Sequence, residues 1–484
     1  MTPEAMPGAT SAPQDAVSRQ ATWTVTTQHL PWVSQPTVGL APLEITSMED
    51  FPSVMVRGAD TRQRIDGFGA CFNEMGWRAL QRLPAQARGE VLDAMFTPGA
   101  GVDLTLCRMP LGANDFSLDW YSYDEVPGDL ALEHFSVEHD ESTLIPFIHE
   151  ALARRADLRL WASPWSPPTW LKVNGHYAAA VPFPGSGVEN GIRPDQVGRE
   201  GTDMVLLDEQ HLATYAQYFA RFIEAYRAAG IEISMVMPQN EFNSPQVFPS
   251  CTWTPAGLAA FLRVLGPVMH DIGVQVFLGT MERPDARLVL DALADPEVAQ
   301  WVTGAGFQWA GKGAIADVHT ARPDLTLYMT EQECGDGRND WRFARHAWSL
   351  MKHYFSHGAA GYCYWNIALD EGGVSRWGWS QNSLVVVDPA TSTYRLTHEY
   401  HVLRHVSGFV RPGAVRLEAF SWSGHENQLA FRNADGSTVI VVQNDLAEPM
   451  EYAVAIDDEV LRLVLPADSL STLVVPAVGA AGQG

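Results

Sequence analysis

From about residue 64 the chain alternates short apolar runs with longer amphipathic stretches. The runs are Arg64–Phe72 (RIDGFGACF), Leu104–Leu111 (LTLCRMPL), Leu158–Trp165 (LRLWASPW), Ile233–Glu241 (ISMVMPQNE), Val274–Thr280 (VQVFLGT), Gly304–Trp309 (GAGFQW), Leu325–Glu331 (LTLYMTE) and Gly361–Asn366 (GYCYWN). Each reads as a strand buried on both faces. Helix-like segments lie between them: Trp77–Phe96, Leu144–Arg155, Glu209–Ala229, Pro255–Ile272, Arg287–Leu293 and Trp341–Ser356. In the third of these, Tyr215, Phe219, Phe222 and Tyr226 recur at three- and four-residue steps, as a helix packed on a sheet requires. Strands alternating with helices imply a parallel sheet, and eight such units predict an α/β fold closed into a (β/α)8 barrel. No GxGxxG follows any run, which counts against a dinucleotide fold.

After about residue 405 the period changes. Val415–Ser421, Leu429–Arg432, Thr438–Asn444, Met450–Ile456 and Thr472–Val475 are short strand-like runs separated by turn signals such as Asp435-Gly436. Thr22–Val56 also reads as extended. The expected architecture is a tail over residues 1–20, N-terminal strands over 21–60, the barrel over 61–405 and a β-sandwich over 406–478. The N-terminal strands are expected to pair into that sandwich.

Composition narrows the function. The 484 residues carry a formal net charge of −25, which repels nucleic acid and anionic membrane surfaces. No run of about 18 apolar residues predicts a membrane-spanning helix. The N-terminal stretch, rich in Pro, Ala, Ser and Thr, lacks the basic start and apolar centre of a secretory signal, so a cytoplasmic location is expected. The 5 cysteines are odd in number and form no CxxC, so neither a disulfide framework nor a zinc site is expected.

A barrel of this kind gathers its chemistry at the C-terminal ends of its strands. Those ends carry Asn73, Asp115, Trp165, Asn240 with Glu241, Glu282, Trp309, Glu331 and Trp365. There is no histidine cluster, HxH or HExxH, so no metal is expected. Tryptophan faces pack on sugar rings, amides and carboxylates bind hydroxyls, and a pair of glutamates is the equipment of a glycosidase. Glu282, read on its own, is a structural carboxylate. Trp377 and Trp379, in a glycine-rich stretch, suit either a cleft wall or a buried loop anchor, and His176 and Tyr177 are positioned to reach an aglycone.

The motifs resemble glycoside hydrolase family 30, which includes the glucosylceramidases and related β-glycosidases. Ser163–Lys172 (SPWSPPTWLK) resembles its SPWSPPxWxK signature, Gly67-Phe68-Gly69 its GFG, and Arg108–Leu111 with Asp115-Phe116-Ser117 its R-x-P and DFS segment. Gln239-Asn240-Glu241, Met329-Thr330-Glu331, Tyr364-Trp365-Asn366 and Phe409–Gly413 follow in family order. The resemblance implies that Glu241 is the general acid/base and Glu331 the nucleophile of a retaining enzyme. It implies that Asn240 binds the sugar 2-hydroxyl, and that Asp115, Trp165, Trp365 and Asn382 line the subsite of the sugar being cleaved. Trp309 and Gln308 are counted with the substrate-binding set. The chain departs from the family at Gln308, which replaces a histidine, and at Ala310, which falls where glucosylceramidases carry a tyrosine that touches the nucleophile. Gln308 is a donor able to orient Glu331 in their place. Glu331 and Glu333 share a face of an extended strand, so spacing leaves both open as nucleophile; the preceding Thr330 favours Glu331.

The expected activity is therefore hydrolysis of a β-linked glucoside, xyloside or fucoside, with no cofactor and a carbohydrate as partner. Alternatives on the same scaffold are an endo-β-1,6-glucanase, a transglycosylase and, from another class, a catalytically silent carbohydrate-binding protein. The long segments 115–140 and 172–208 are placed to close the cleft into a pocket.

Overall fold

In the computed structural model residues 19–422 and 424–478 are described, so all but the last two residues of the predicted tail lie outside the described residues. Eight parallel strands close the barrel: β1 Gly67–Cys71, β2 Leu106–Pro110, β3 Arg159–Ser163, β4 Ile233–Val236, β5 Gln275–Met281, β6 Val302–Gln308, β7 Thr326–Glu331 and β8 Ala359–Asp370. Each pairs with its neighbour in chain order, and β8 pairs with both β7 and β1. The tight β1–β2 approach depends on Gly69, where a Cβ would stand 1.7 Å from the Leu106 carbonyl oxygen. Inward-facing Leu106, Trp161, Met235, Met237, Phe277, Tyr328 and Cys363 fill the barrel with a dry plug. A second, larger core lies between the strands and the surrounding helices and includes the predicted aromatic stripe of helix Glu209–Ala228.

The differences from the predicted elements have local causes. The run Arg64–Phe72 divides, because Val54–Arg64 belongs to the other sheet and the chain turns before Gly67. The fourth strand ends at Val236, two residues before Pro238, which has no N–H to give a ladder. Segment 77–96 is two helices, Glu74–Gln81 and Ala85–Phe96, interrupted at Pro84. Arg287–Leu290 stops early, and a second short helix starts at Pro296. Helices Ile315–Ala321 and His398–Ser407 were not anticipated.

The second sheet joins both ends of the described chain. Gln20–Thr27 pairs antiparallel with Ser469–Val475, and Val54–Arg64 lies between Val415–Phe420 and Met450–Ile456. Glu459–Leu465 is an additional strand paired with Met450–Ile456. Its core is formed by Val54, Val56, Leu417, Ile440, Val454 and Leu473 among others. His405, on the last barrel helix, is wedged between Thr472 and Thr26 at 2.8 Å each and ties the two units together. Among the described residues no helix is long and apolar enough to cross a membrane. All five cysteines are unpaired and buried.

Candidate active site

A cavity of about 410 Å³ opens at the C-terminal ends of the barrel strands. Its walls include Asp115, Glu241, Glu282, Trp309, Glu331 and Trp379. The residues beneath it build from one cation. Arg108, inward-facing on β2 and fully buried, sits directly above the apolar plug. Its guanidinium lies over the rings of Trp165 and Trp161, with centroids at 4.3 and 5.0 Å. It donates to Glu331 Oε2 at 2.8 Å, to Asn240 Oδ1 at 2.6 Å and to Ser163 Oγ at 2.9 Å. A buried charge of this kind is tolerable because every side of the fork is used.

Glu331 ends β7 and receives two further donors. The Trp309 indole N–H reaches Oε1 at 3.0 Å, and the Gln308 amide reaches Oε2 at 3.2 Å. Trp309 adopts φ 48°, a left-handed conformation that turns the chain at the end of β6. Gln308 is oriented by Thr330, whose hydroxyl donates to its Oε1 at 2.9 Å. Its NH₂ therefore faces the acids, 3.2 Å from Asn240 Oδ1 and 3.3 Å from Glu241 Oε1.

Glu241 follows β4 by five residues, also with positive φ (45°). Its N–H is fixed by Thr280 Oγ1 at 2.9 Å, and its Oε2 accepts from Gln246 at 3.2 Å. Asn240 Oδ1 accepts from Arg108, Gln308 and Thr280, which leaves its NH₂ as the end available to a ligand. The same Gln308 nitrogen touches both glutamates. The sum of its two contacts, 3.2 and 3.3 Å, is an upper bound on the separation of the two oxygens involved. That bound lies at the lower edge of the roughly 6.5–9.5 Å that inverting enzymes need for an intervening water.

The electrostatics are asymmetric. Burial, followed by the charge of Glu331, raises Glu241 to about 7. Burial also raises Glu331, but the Arg108 cation in direct contact and the Trp309 and Gln308 donors oppose it, whereas Glu241 is lowered first by the neutral Gln308 and Gln246 amides and only then by Arg108 at a distance. The contacts therefore favour the ionised form more strongly at Glu331 than at Glu241. Asp115 is raised by burial and by Glu331, and its Oδ1 is buried with no hydrogen-bond partner.

Glu333 is set apart from the pair. It lies beyond the end of β7, held by Lys312 at 2.6 Å and His346 at 2.9 Å on the cavity rim, and these contacts pull it down to about 2, His346 first. Trp165 and Trp365 stack on each other at 5.5 Å beneath Arg108 and expose almost no surface. They act as the floor that holds the guanidinium and do not line the cavity. Asn382 differs from the expectation: it is fully buried, is not among the cavity walls, accepts from the Gly337 and Asn339 N–H groups and donates to Glu399, so it fastens a loop. Trp379 is a cavity wall, while Trp377 stacks on Trp120 at 4.6 Å as a loop anchor. His176 and Tyr177 both pack on Trp120 and are absent from the cavity walls. Among the described residues no group of three or more His, Cys, Asp or Glu side chains is arranged for a metal ion.

Residues 65–410 match the glycosyl hydrolase family 30 TIM-barrel domain, and residues 413–473 match the glycosyl hydrolase family 30 beta sandwich domain. The chain belongs to glycosyl hydrolase family 30. It is thus a glycoside hydrolase with a carbohydrate substrate. Putative glucosylceramidase 4 of Caenorhabditis elegans is 29% identical over 462 residues, 89% of this chain and 84% of that protein. The endo-1,6-beta-D-glucanase of Neurospora crassa is 27% identical over 447 residues, 87% of each chain. The crystal structure of SrfJ from Salmonella typhimurium superposes with a TM-score of 0.83, at 24% identity, covering 94% of this chain and 99% of that one, and so shares the fold.

In this family 30 chain the most consequential residue that pattern reading passed over is Arg108. A lone arginine inside the apolar run LTLCRMPL was its signal, since a cation in a barrel interior must have a carboxylate opposite it. Gln246 and Phe248 had no signal, because they reach the cavity from a loop.

Proposed function

We propose that this chain is a retaining β-glycosidase in which Glu331 is the nucleophile and Glu241 the acid/base. Glu331, ionised beside Arg108, attacks the anomeric carbon. Glu241 gives its proton to the departing glycosidic oxygen, and the C–O bond to the aglycone breaks as the glycosyl–Glu331 ester forms. Glu241, now a carboxylate, takes a proton from water, whose oxygen attacks the anomeric carbon and releases the sugar and Glu331. The observation that carries this reading is the single Gln308 amide touching both acids while a cation contacts only one. Asn240 and Asp115 are the proposed contacts to the sugar hydroxyls, Trp309 both orients Glu331 and faces the ring, and Arg108 positions Glu331. Glucosides are the proposed substrates, with xylosides and fucosides as close relatives. The length shared with a fungal endo-1,6-β-glucanase supports an endo-acting β-1,6-glucanase as the second reading. Five unpaired cysteines suit a cytoplasmic setting.

The test is hydrolysis of a panel of aryl β-glycosides (glucoside, xyloside, fucoside, galactoside) by the native chain, Glu331→Ala and Glu241→Ala, with the anomer of the first product read by NMR. A β-product that disappears in Glu331→Ala supports the proposal. An α-product refutes the retaining mechanism, and activity that survives Glu331→Ala refutes the nucleophile.

A further inference from the structure

Glu282 has no place in the mechanism above, yet it is the carboxyl in the cavity with the least support. It stands one residue past β5 and is 2% exposed. Both of its oxygens are buried without a hydrogen-bond partner. Arg283 is its nearest cation, but the 3.6 Å separation is too long for a hydrogen bond. That guanidinium is turned instead to Glu200, 3.0 Å away. A buried polar group left unpaired in this way is costly and calls for an explanation. Burial, then the charge of Glu241, pushes its carboxyl well above the usual range against the pull of Arg283, which favours the protonated form that donates as well as accepts.

Its position says what it faces. Glu282 belongs to the strand next to Glu241, and the charges it feels are those of Glu241, Arg283 and Glu200. Asp115, by contrast, feels Glu331 first among charges. A polar wall runs from Glu241 through Gln246, which donates to Ser244 at 2.7 Å, to Arg283, 3.4 Å from the same hydroxyl, and ends at Glu282. All five line the cavity, opposite the rings of Phe248 and Trp379. Glu241 is the group that protonates the departing oxygen. The groups that share this wall with Glu241 are therefore placed beside the leaving group.

We propose that Glu282 is a specificity-determining residue for the leaving group, donating to and accepting from a hydroxyl of a sugar aglycone. This rests on the β-glycosidase reading above. An aglycone with hydroxyls satisfies Glu282, Ser244 and Gln246 together. A hydrocarbon aglycone strips them of water and returns nothing, and a site built around a hydroxyl rejects the analogue that lacks it strongly. The cavity therefore selects β-linked oligosaccharides over alkyl or lipid glycosides.

The experiment compares kcat/KM for a β-linked glucose disaccharide with that for octyl β-glucoside, whose leaving group has no free hydroxyl. The native chain, Glu282→Ala and Glu282→Gln are measured, with pH profiles. The native chain is expected to favour the disaccharide. Glu282→Ala is expected to lower the disaccharide-to-octyl ratio at least ~10-fold, and Glu282→Gln, which still donates and accepts, to recover part of it. If the native chain favours the octyl glucoside, or if the ratio stays put in both variants, the inference is overturned. Equal loss on both substrates with a displaced alkaline limb also overturns it, since Glu282 then acts only through Glu241. Failure of the native chain on every β-glycoside refutes the underlying activity instead, a separate and recognisable result. The near-isosteric Gln variant keeps the test decisive if the Ala variant does not fold.

Discussion

Gln308→Leu removes the one group that touches both acids and alters little else. Thr330, freed from Gln308, turns its hydroxyl to the Phe307 carbonyl at 3.1 Å, and Asn240 Oδ1 keeps Arg108 and Thr280. What is lost is the amide N–H donation to Glu331 at 3.2 Å and to Glu241 at 3.3 Å. Hydrogen bonds to charged groups contribute roughly 1.5–3 kcal/mol, and about 1.4 kcal/mol corresponds to one pKa unit. The donor favours the ionised form of each carboxyl, so removing it raises both. Glu331 then requires a higher pH to ionise, and Glu241 keeps its proton to a higher pH than its present value of about 7. The whole bell-shaped profile of kcat/KM is expected to move up by ~1–2 pH units. On the acid side this costs roughly 10–100-fold in activity, with a smaller loss at the new optimum. The assay is aryl β-glycoside hydrolysis from acid to alkaline pH, with a thermal melt to establish that the variant is folded. Gln308→His, which restores a donor, is expected to bring the acid limb part of the way back. Limbs that both stay within about 0.3 pH units of native would refute the bridging role.

The remaining expectations test residues around the pair. Glu333→Gln should keep kcat within about tenfold of native, because Glu333 pairs with Lys312 and hydrogen-bonds His346; loss on the scale of Glu331→Ala in the same assay would reassign the nucleophile. Asn382→Ala removes two acceptor contacts and one donor contact inside a fully buried loop junction, so the denaturant midpoint should drop by the equivalent of ~2–4 kcal/mol, with KM for the residual folded enzyme unchanged. His405 is pushed down to about 3 by burial, below its unfolded value of about 6.5, so the unfolded chain binds more protons between those limits. Its contribution is complete above about pH 6.5 and is lost as pH falls toward 3, at up to ~1.4 kcal/mol per pH unit. His405→Gln should flatten that part of the melting-temperature-against-pH curve, and an unchanged slope would show that other groups dominate.

Strand order and barrel closure were legible because doubly buried strands advertise themselves as apolar runs, and both glutamates stood out as charges at the ends of such runs. Boundaries blurred where backbone chemistry intervened: at Pro84, which splits one helix, and at Pro238, before which the strand ends early. Whether Trp165 and Trp365 are platform or floor was not legible, since the same residue type serves both uses and only the stacking under Arg108 separates them. Asn382 misled for a related reason: an amide that caps N–H groups and one that binds hydroxyls look alike in sequence. Nothing along the chain records that both oxygens of Glu282 lack a hydrogen-bond partner.

The proposed division of labour between the two glutamates rests on where the barrel can place a cation. Both acids are buried to a similar degree, at 7% and 5% exposure, so desolvation alone does not tell them apart. Arg108 projects from β2 into the barrel axis, held flat by Trp161 and Trp165 below and by Ser163 at its edge. From there it reaches the carboxylate of Glu331 but only the amide of Asn240, the residue before Glu241. One acid is thus in direct contact with the cation, while the other feels it only at a distance. At 2.8 Å in a low-dielectric interior, that difference outweighs any contrast among the neutral donors. The same contacts offer Glu331 support without the tyrosine expected at Ala310. Trp309 and Gln308 still fix the direction of the Glu331 oxygens, while the charge that keeps it ionised comes from the opposite side of the barrel.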